Sequence, residues 1–160
     1  MRRRVSLRLR GFDYSQDGLY FVTFTTRGRR CLLGRVEDGC VVLSRLGRVV
    51  EAQLERLARL PGINVDAYIV MPNHVHVIVA LETRARQASP LRLGDVVGAV
   101  KSGSSREAGI SLWQRGYYDH VIRDEGDLTR VREYIVANPI RWELDPENPE
   151  RCPPRAPRSS

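Results

Sequence analysis

The chain has 160 residues, 26 of them basic and 19 acidic, and carries a net charge of +7. This length suits a single domain, and the hydrophobic fraction of 42% is sufficient for a core, which excludes a disordered or fibrous protein. The longest apolar stretches are far shorter than the roughly 18 residues of a membrane span, so a membrane-spanning protein is excluded as well.

The N-terminus and the cysteines indicate the cellular compartment. No apolar segment near the N-terminus is long enough for a secretion signal, so we expect the protein to stay in the cytoplasm. The three cysteines, Cys31, Cys40 and Cys152, are odd in number and have no C-x-x-C spacing. Neither a disulfide framework nor a cysteine zinc site is therefore predicted.

Positive charge is concentrated near the N-terminus, where residues 1–30 contain eight arginines and two aspartates. Clustered arginines attract the phosphates of nucleic acids. We therefore predict DNA contacts for the following arginines: Arg2, Arg3, Arg4, Arg8 and Arg10. Lys101, beside the polar residues 102–105, is a further candidate for a phosphate contact. The alternatives are a solvated basic arm that aids solubility and, around Lys101, an ordinary polar loop.

The first half of the chain predicts strands on both sides of one helix. In chain order we predict a strand at 19–26, a short extended piece at 40–43, a helix from the N-cap Ser44 that stops before Pro61, and strands at 65–70 and 74–80. The strands are rich in β-branched and aromatic residues, whereas apolar residues recur at helical spacing after Ser44. The turn signal Met71-Pro72-Asn73 joins the last two strands, which indicates a hairpin.

The second half predicts two further helices and one strand. They are a helix that starts at Ser89-Pro90 and stops at the polar loop 102–105, a strand at 117–122, and a helix capped by Asp127 that stops before Pro139. The tail from Asp145 has five prolines in 16 residues and no apolar period, so we expect it to be extended or disordered.

The order strand, helix, strand, strand, helix, strand is that of a ferredoxin-like α+β sandwich, in which helices cover one face of an antiparallel sheet. One additional C-terminal helix follows, and it carries Tyr134. We predict a single domain over residues 1–144, with the basic arm at its N-terminus, and a Pro-rich tail over 145–160. Because many unrelated functions use this fold, it does not by itself indicate the chemistry.

The segment His74-Val75-His76 is a candidate metal site. Alternate side chains of a strand point to one face, so both imidazoles project together while Val75 faces the other way. Two imidazoles can ligate a divalent metal ion. Histidines in strands also occur as ordinary exposed or hydrogen-bonded residues, and for the pair alone this alternative stays open.

Two polar side chains of the last helix form a second candidate site. Tyr134 and Asn138 are four residues apart, which places the phenol and the amide on one side of the helix. The alternatives are a core position for Tyr134 beside Val131 and a helix-terminating role for Asn138 before Pro139.

The two sites together indicate phosphoryl-transfer chemistry. A phenolic oxygen can attack a phosphodiester and form a covalent phosphotyrosine, although its ordinary pKa of about 10 makes it a reluctant nucleophile. A divalent ion held by His74, His76 and the amide oxygen of Asn138 would stabilise the charge that develops on the phosphate. Three neutral ligands leave room for waters and phosphate oxygens, which suits Mg²⁺ or Mn²⁺ better than a closed zinc site.

Three segments carry a family resemblance: AYIVMPNHVH at 67–76, GYYDHVIR at 116–123 and YIVANP at 134–139. They resemble the REP-associated tyrosine transposases, which are bacterial single-tyrosine HUH nucleases, and the resemblance spans roughly residues 11–145. It implies that His74 and His76 are the HUH metal ligands, that Asn138 is the third ligand and that Tyr134 is the nucleophile.

The resemblance also implies a reaction and a partner. The reaction is cleavage of single-stranded DNA near a hairpin through a 5′-phosphotyrosine intermediate, without a nucleotide triphosphate. The implied partners are repetitive extragenic palindromes, recognised through the hairpin and a short guide sequence beside its foot. The REP-associated members imply a monomer, whereas the insertion-sequence relatives work as dimers.

Four further residues are weaker candidates. Neither Tyr117 nor Tyr118 has an amide partner at helical spacing, so we expect structural roles for both. His120, next to Asp119, is a candidate for the metal site or for DNA contact, but a core or surface role is the default. Trp113 is a candidate for stacking on an unpaired base or for the core.

The predicted function is a metal-dependent single-stranded DNA endonuclease and strand transferase that acts near palindromic hairpins. One alternative is a ferredoxin-like protein that binds hairpin DNA without cutting it. Another is a metalloenzyme for a small molecule, which would leave the basic arm and Tyr134 without a role. The intact histidine and tyrosine motifs favour the DNA enzyme.

Overall fold

The computed structural model describes residues 18–82 and 91–149. The arginines of the N-terminal arm, the predicted helix start at Ser89-Pro90 and the tail beyond residue 149 lie outside the described residues; the arginines are Arg2, Arg3, Arg4, Arg8 and Arg10. Within the described part, no helix is long and apolar enough to cross a membrane.

Six strands and three helices make up the described fold. In chain order they are β1 (Gly18–Thr25), β2 (Gly34–Glu37), β3 (Cys40–Leu43), α1 (Arg45–Leu57), β4 (Ile63–Val70), β5 (His74–Leu81), α2 (Leu93–Ala108), β6 (Tyr118–Ile122) and α3 (Glu125–Ala137). Two short 3-10 helices lie at Arg27–Arg29 and Trp142–Leu144.

The main sheet has the strand order β4-β5-β1-β6, and every neighbouring pair is antiparallel. This order confirms the predicted ferredoxin-like α+β sandwich. Strands β2 and β3 form a separate hairpin. The sequence predicts β3 but not β2, because Gly34–Glu37 is short and carries charged residues at Arg35 and Glu37.

The sheet separates two hydrophobic clusters, because successive side chains of a strand point to opposite faces. One face packs against α1 and α2 through these residues of β1 and β5: Tyr20, Val22, Phe24, Val75, Val77 and Val79. The other face packs against α3 and contributes Phe21 and Ile78 to the contact with Leu128, Val131 and Ile135. Residues His74 and His76 alternate with the valines of β5, so they lie on the face that α3 covers.

An ion pair fixes α3 to the edge strand β4. Nε of Arg132 donates to Oδ2 of Asp66 at 2.8 Å, and a second guanidinium nitrogen pairs with Oδ1. Asp66 lies at a register shift between Val65 and Ala67, where a bulge re-aims its side chain. The hydrogen bond from Arg132 lowers the pKa of Asp66, so the pair stays ionised at neutral pH. This contact holds the turn of α3 that precedes Tyr134.

The predicted end of α2 at the polar loop 102–105 is wrong, because the helix continues to Ala108 and ends at Gly109 in the left-handed conformation. The small and polar residues are part of the helix packing. Ser104 is fully buried, donates to the carbonyl of Val100 at 2.7 Å and accepts from the indole of Trp113 at 2.8 Å. At Gly103, an added Cβ would lie 2.6 Å from Oε1 of Gln53, so the glycine permits close approach of α1.

The predicted N-cap of α3 is also wrong. Asp124 caps the helix, since its Oδ1 accepts from the backbone nitrogen of Asp127 at 2.8 Å. Asp127 instead accepts from Nε2 of His120 at 2.8 Å through its side chain. The end of the helix before Pro139 is confirmed, with Asn138 as the C-cap.

Candidate active site

His74 and His76 lie side by side on β5 and face α3. Their Nε2 atoms are 3.1 Å apart, and the two ring centroids are 4.5 Å apart. The residues are only 1% and 5% exposed. Their partners on β1 are Thr25 and Thr23, whose side chains are small enough to leave room for two rings on the sheet. The period of the strand therefore places both imidazoles at one point, as the sequence predicts.

Asn73 determines which nitrogen of His74 faces the site. Its Nδ2 donates to the carbonyls of Arg29 at 3.0 Å and Glu147 at 2.7 Å, so Oδ1 is the atom that lies 2.8 Å from Nδ1 of His74. An amide oxygen can only accept, so the proton resides on Nδ1 and the lone pair on Nε2. Metal-binding histidines typically donate their other ring N–H to an oxygen acceptor in this way, which fixes the tautomer.

His76 is held by two contacts on the other side of the pair. Its Nδ1 lies 2.7 Å from the hydroxyl of Thr23. Its ring stacks on Phe21, with centroids 5.3 Å apart and planes inclined by 29°. These contacts turn Nε2 towards His74, so two imidazole nitrogens converge in one buried place.

The buried histidines are neutral at physiological pH. Burial lowers the pKa of His74 to about 4, and the negative charge of Asp145 and the nearby amide of Asn138 oppose this shift only in part. Burial also lowers the pKa of His76 well below its usual value, and the positive charge of a protonated His74 would lower it further. Neutral imidazole is the form that binds metal ions.

Tyr134 of α3 lies against the histidine pair. Its ring centroid is 5.2 Å from that of His76 and 6.0 Å from that of Phe21, in edge-to-face geometry with the latter. Tyr134 is 42% exposed, which leaves it accessible to a substrate. Burial of part of the ring raises the pKa of the phenol, the charge of Asp145 raises it further, and the amide of Asn138 acts in the opposite direction.

Asn138 contributes an oxygen without a partner. The residue is 3% exposed, and no group in the described part of the chain donates a hydrogen bond to its Oδ1. A buried polar atom left unpaired costs about 1–3 kcal/mol, so such atoms often indicate a missing ligand. The amide interacts electrostatically with both His74 and Tyr134. A buried acceptor therefore lies near His74 and Tyr134.

This donor set fits a divalent cation. Two imidazole Nε2 atoms and one amide oxygen are neutral ligands, and the half-buried carboxylate of Asp145 supplies negative charge nearby. In residues 18–82 and 91–149, no three side chains of His, Cys, Asp or Glu are grouped in a way that could hold a metal ion. The unpaired amide oxygen of Asn138 is therefore the candidate for a third protein ligand beside His74 and His76.

The sequence did not indicate several residues that shape this site. Asn73 reads as an ordinary turn residue, and only its position directly before His74 is a signal. Asp145 lies in the segment predicted as a tail, as does Glu147, yet both lie near the site. Trp142 is buried with its ring centroid 5.9 Å from that of His74, and nothing in its spacing indicates this contact.

Other candidates do not join the histidine and tyrosine cluster. Nζ of Lys101 donates to the carbonyls of Gln114 and Gly116, both at 2.8 Å, so it holds the segment before β6 in place. Trp113 is buried and packs edge-on against Phe24 with centroids 4.7 Å apart, which is a core position.

His120 and Tyr118 lie on β6. His120 pairs with Asp127 at 2.8 Å, which matches the structural role that was its default. Tyr118 is 40% exposed and pairs with Thr23 in the sheet register, so it lies two strands from His76. The structure thus brings together His74, His76, Tyr134 and Asn138 out of all the predicted site residues that it describes.

Replacement of Asn73 by alanine is expected to disturb the tautomer of His74. Asn73→Ala removes three hydrogen bonds, so the free energy of unfolding should fall by about 2–3 kcal/mol. Nitrogen-15 NMR of the imidazoles should show the Nδ1–H tautomer of His74 in the wild type and a mixture in the variant. Asn148→Ala is the control, because it removes another buried amide, one that donates to the carbonyl of Trp142. An unchanged His74 tautomer in Asn73→Ala would contradict this role.

The chain is similar to known proteins over most of its length. It is 32% identical to a protein of Haemophilus influenzae described only as uncharacterized, over 89% of this chain and 91% of that protein. It is 25% identical to the REP-associated tyrosine transposase of Escherichia coli, over 80% of this chain and 70% of that protein. A comparison with models of protein families finds no match.

A solved structure has the same fold. The structure of a REP-associated tyrosine transposase bound to a REP hairpin matches with a TM-score of 0.65 and 22% identity, over 84% of this chain and 73% of that chain. The class defined here is a ferredoxin-like α+β protein with a histidine pair on a central strand and a tyrosine helix over it. The homologues named REP-associated tyrosine transposase and this structural match support the same family for the chain.

Proposed function

We propose that the protein is a metal-dependent endonuclease and strand transferase for single-stranded DNA beside palindromic hairpins. The observation that carries this proposal is the position of Tyr134, whose ring lies 5.2 Å from that of His76. An accessible nucleophile beside a pair of imidazoles that can bind a metal ion is an arrangement that serves phosphoryl transfer. The similarity to the named REP-associated tyrosine transposases supports the same chemistry.

In the proposed reaction, the phenolic oxygen of Tyr134 attacks the phosphorus of the scissile phosphodiester. A bond forms between this oxygen and phosphorus, and the bond from phosphorus to the 3′-oxygen breaks. The phenolic proton passes to water, and the leaving oxygen takes a proton from water to become a 3′-hydroxyl. The 5′-phosphate stays on Tyr134, so a later attack by a hydroxyl rejoins DNA without a nucleotide triphosphate.

His74, His76 and Asn138 would hold Mg²⁺ or Mn²⁺ through two Nε2 atoms and Oδ1. When bound, the ion supplies Lewis-acid stabilisation of the charge on the phosphate. The chain itself holds His74 in the metal-binding tautomer through Asn73, and the hydroxyl of Thr23 can accept from Nδ1 of His76 when Nε2 of that ring binds the ion. The raised pKa of Tyr134 keeps the phenol protonated in the protein without bound substrate and ion.

Hairpin DNA is the proposed partner. A family member of the same fold is bound to a REP hairpin in its solved structure. The net charge of +7 of this chain favours a polyanion in general. We therefore propose hairpin DNA as the ligand of this protein as well. A reaction on genomic DNA also agrees with a cytoplasmic location.

The test is a covalent-capture assay with single-stranded palindromic oligonucleotides labelled at either end. We expect a protease-sensitive adduct in Mn²⁺ or Mg²⁺ and none in EDTA. Only the 3′ label should travel with the protein, because the 5′-phosphate is the linked end. The same oligonucleotide annealed to its full complement is the control and should give no adduct. Tight hairpin binding without an adduct in any metal would instead favour the protein that binds without cutting.

A further inference from the structure

Arg141 continues the face of α3 that carries Tyr134 and Asn138. The backbone nitrogen of Arg141 donates to the carbonyl of Ala137 at 3.2 Å, a bond of α-helical type, so the helical path extends past Pro139. Asn138 itself has helical dihedral angles, with φ of −59° and ψ of −45°. Residues four and seven positions apart lie on one side of a helix. Arg141 therefore lies on the same side of this segment as the phenol and the amide.

The residue after Arg141 anchors the backbone at the histidine pair. Trp142 is 7% exposed, and its ring centroid lies 5.9 Å from that of His74. Nδ2 of Asn148 donates to the carbonyl of Trp142 at 3.0 Å, which holds this turn in place. Arg141 is thus fixed between Trp142 and Asn138, and both of these residues belong to the surroundings of His74.

The guanidinium of Arg141 is available for a ligand. Arg141 is exposed, and no carboxylate of residues 18–82 and 91–149 forms an ion pair with it. The two other arginines of α3 are engaged, since Arg132 pairs with Asp66 and Arg130 with Asp127. A guanidinium presents a planar fork of donors that matches the oxygens of a phosphate.

Charges of both signs act on the phenol of Tyr134. The carboxylates of Asp145 and Glu147 raise its pKa, whereas the guanidinium of Arg141 lowers it, because positive charge favours the phenolate. Arg141 is therefore near enough to act on a group beside the phenolic oxygen. A phosphate that approaches this oxygen is repelled by the two carboxylates, and an adjacent cation offsets that repulsion.

We propose that the guanidinium of Arg141 binds a non-bridging oxygen of the phosphate that the phenolic oxygen of Tyr134 attacks. This inference rests on the proposed function. A donor that is fixed beside the reacting phosphate stabilises the charge that develops there during displacement. Arg141 keeps its protons and forms no covalent bond, so the balance of the reaction is unchanged. Because one helical segment carries both residues, the spacing between nucleophile and phosphate-binding group is set before the DNA arrives.

The first measurement is the single-turnover rate of adduct formation. We expect Arg141→Ala to be slower than the wild type on the order of 10²-fold, the loss that follows removal of one donor to a developing charge. Arg141→Lys should recover only part of the rate, because an ammonium group has no fork of donors. Arg48→Ala is the matched control and should stay within about twofold of the wild type. Arg48 is also exposed, and it lies on α1, which covers the opposite face of the sheet.

Binding to modified DNA distinguishes a phosphate contact from a structural role. The probe is a hairpin oligonucleotide with a single-stranded flank, made as a series in which one uncharged methylphosphonate replaces one phosphate at a time. Affinity is measured by fluorescence anisotropy in EDTA. We expect Arg141→Ala to bind the unmodified DNA about tenfold more weakly than the wild type. The two proteins should bind equally only when the methylphosphonate occupies the phosphate that the wild type cleaves, and Arg48→Ala should match the wild type throughout the series.

The two proposals fail separately, because the binding series requires no cleavage. A wild-type protein that forms no adduct would reject the chemistry, whereas one phosphate whose contribution depends on Arg141 would still support the contact. An adduct together with equal affinities of Arg141→Ala and the wild type would keep the chemistry and overturn the role of Arg141. A loss of affinity that is the same at every position, or that depends on a phosphate other than the cleaved one, would overturn it as well.

Discussion

Tyr134→Phe is expected to form no covalent DNA adduct, a loss on the order of 10³-fold or more relative to the wild type. The substitution removes only the phenolic oxygen. The ring retains its packing against Phe21 and His76, with centroids 6.0 Å and 5.2 Å away. Hairpin affinity should therefore stay within about twofold of the wild type, and the measurement is denaturing-gel capture beside a binding titration.

Tyr118→Phe is the control for this result. Tyr118 is as exposed as Tyr134, at 40% against 42%, and lies on the same face of the sheet. Because it has no contact with the histidine pair, its phenol is expected to be dispensable for the adduct. If Tyr134→Phe still forms the adduct, or if only Tyr118→Phe loses it, Tyr134 is not the nucleophile and another residue is.

Asn138→Leu is expected to abolish stabilisation by Mn²⁺. Leucine has a similar shape but offers no oxygen, so the proposed ion would lose its third protein ligand. In the wild type, free Mn²⁺ at a hundred times its Kd should raise the free energy of unfolding by about 2.7 kcal/mol, and in the variant this gain should nearly vanish. Urea unfolding with Mn²⁺ or with EDTA measures the difference.

The unliganded variant is expected to remain folded. The change removes the unpaired buried Oδ1 of Asn138, and the gain from this removal offsets the loss of the other contacts of the amide. The free energy of unfolding in EDTA should therefore stay within about 1–2 kcal/mol of the wild-type value. Asn148→Leu is the matched control, because Asn148 is also buried but its amide donates to Trp142. It should lower stability and keep the Mn²⁺ response. A full Mn²⁺ response in Asn138→Leu would exclude this amide as a ligand.

The local part of both the fold and the site is determined by sequence periodicity. Alternation along β5 places His74 and His76 on one face, and a spacing of four places Tyr134 and Asn138 on one side of α3. The order of strands and helices determines the ferredoxin-like topology, since few arrangements bury these apolar faces. Local patterns are less reliable where composition is ambiguous. The small polar residues 102–105 predict a loop, although they lie within α2, where Gly103 approaches Gln53 of α1.

Which residues of these separate segments contact one another is determined only by the tertiary structure. The register of β1 against β5 brings Thr23 to His76, and the turn before β5 brings Asn73 to the carbonyls of Arg29 and Glu147. The cleft lined by Arg27, Arg29 and Arg115 likewise joins segments distant in the sequence. Such contacts depend on strand pairing and on the packing of α3, which bring together residues that share no local period, so no spacing along the chain can indicate them.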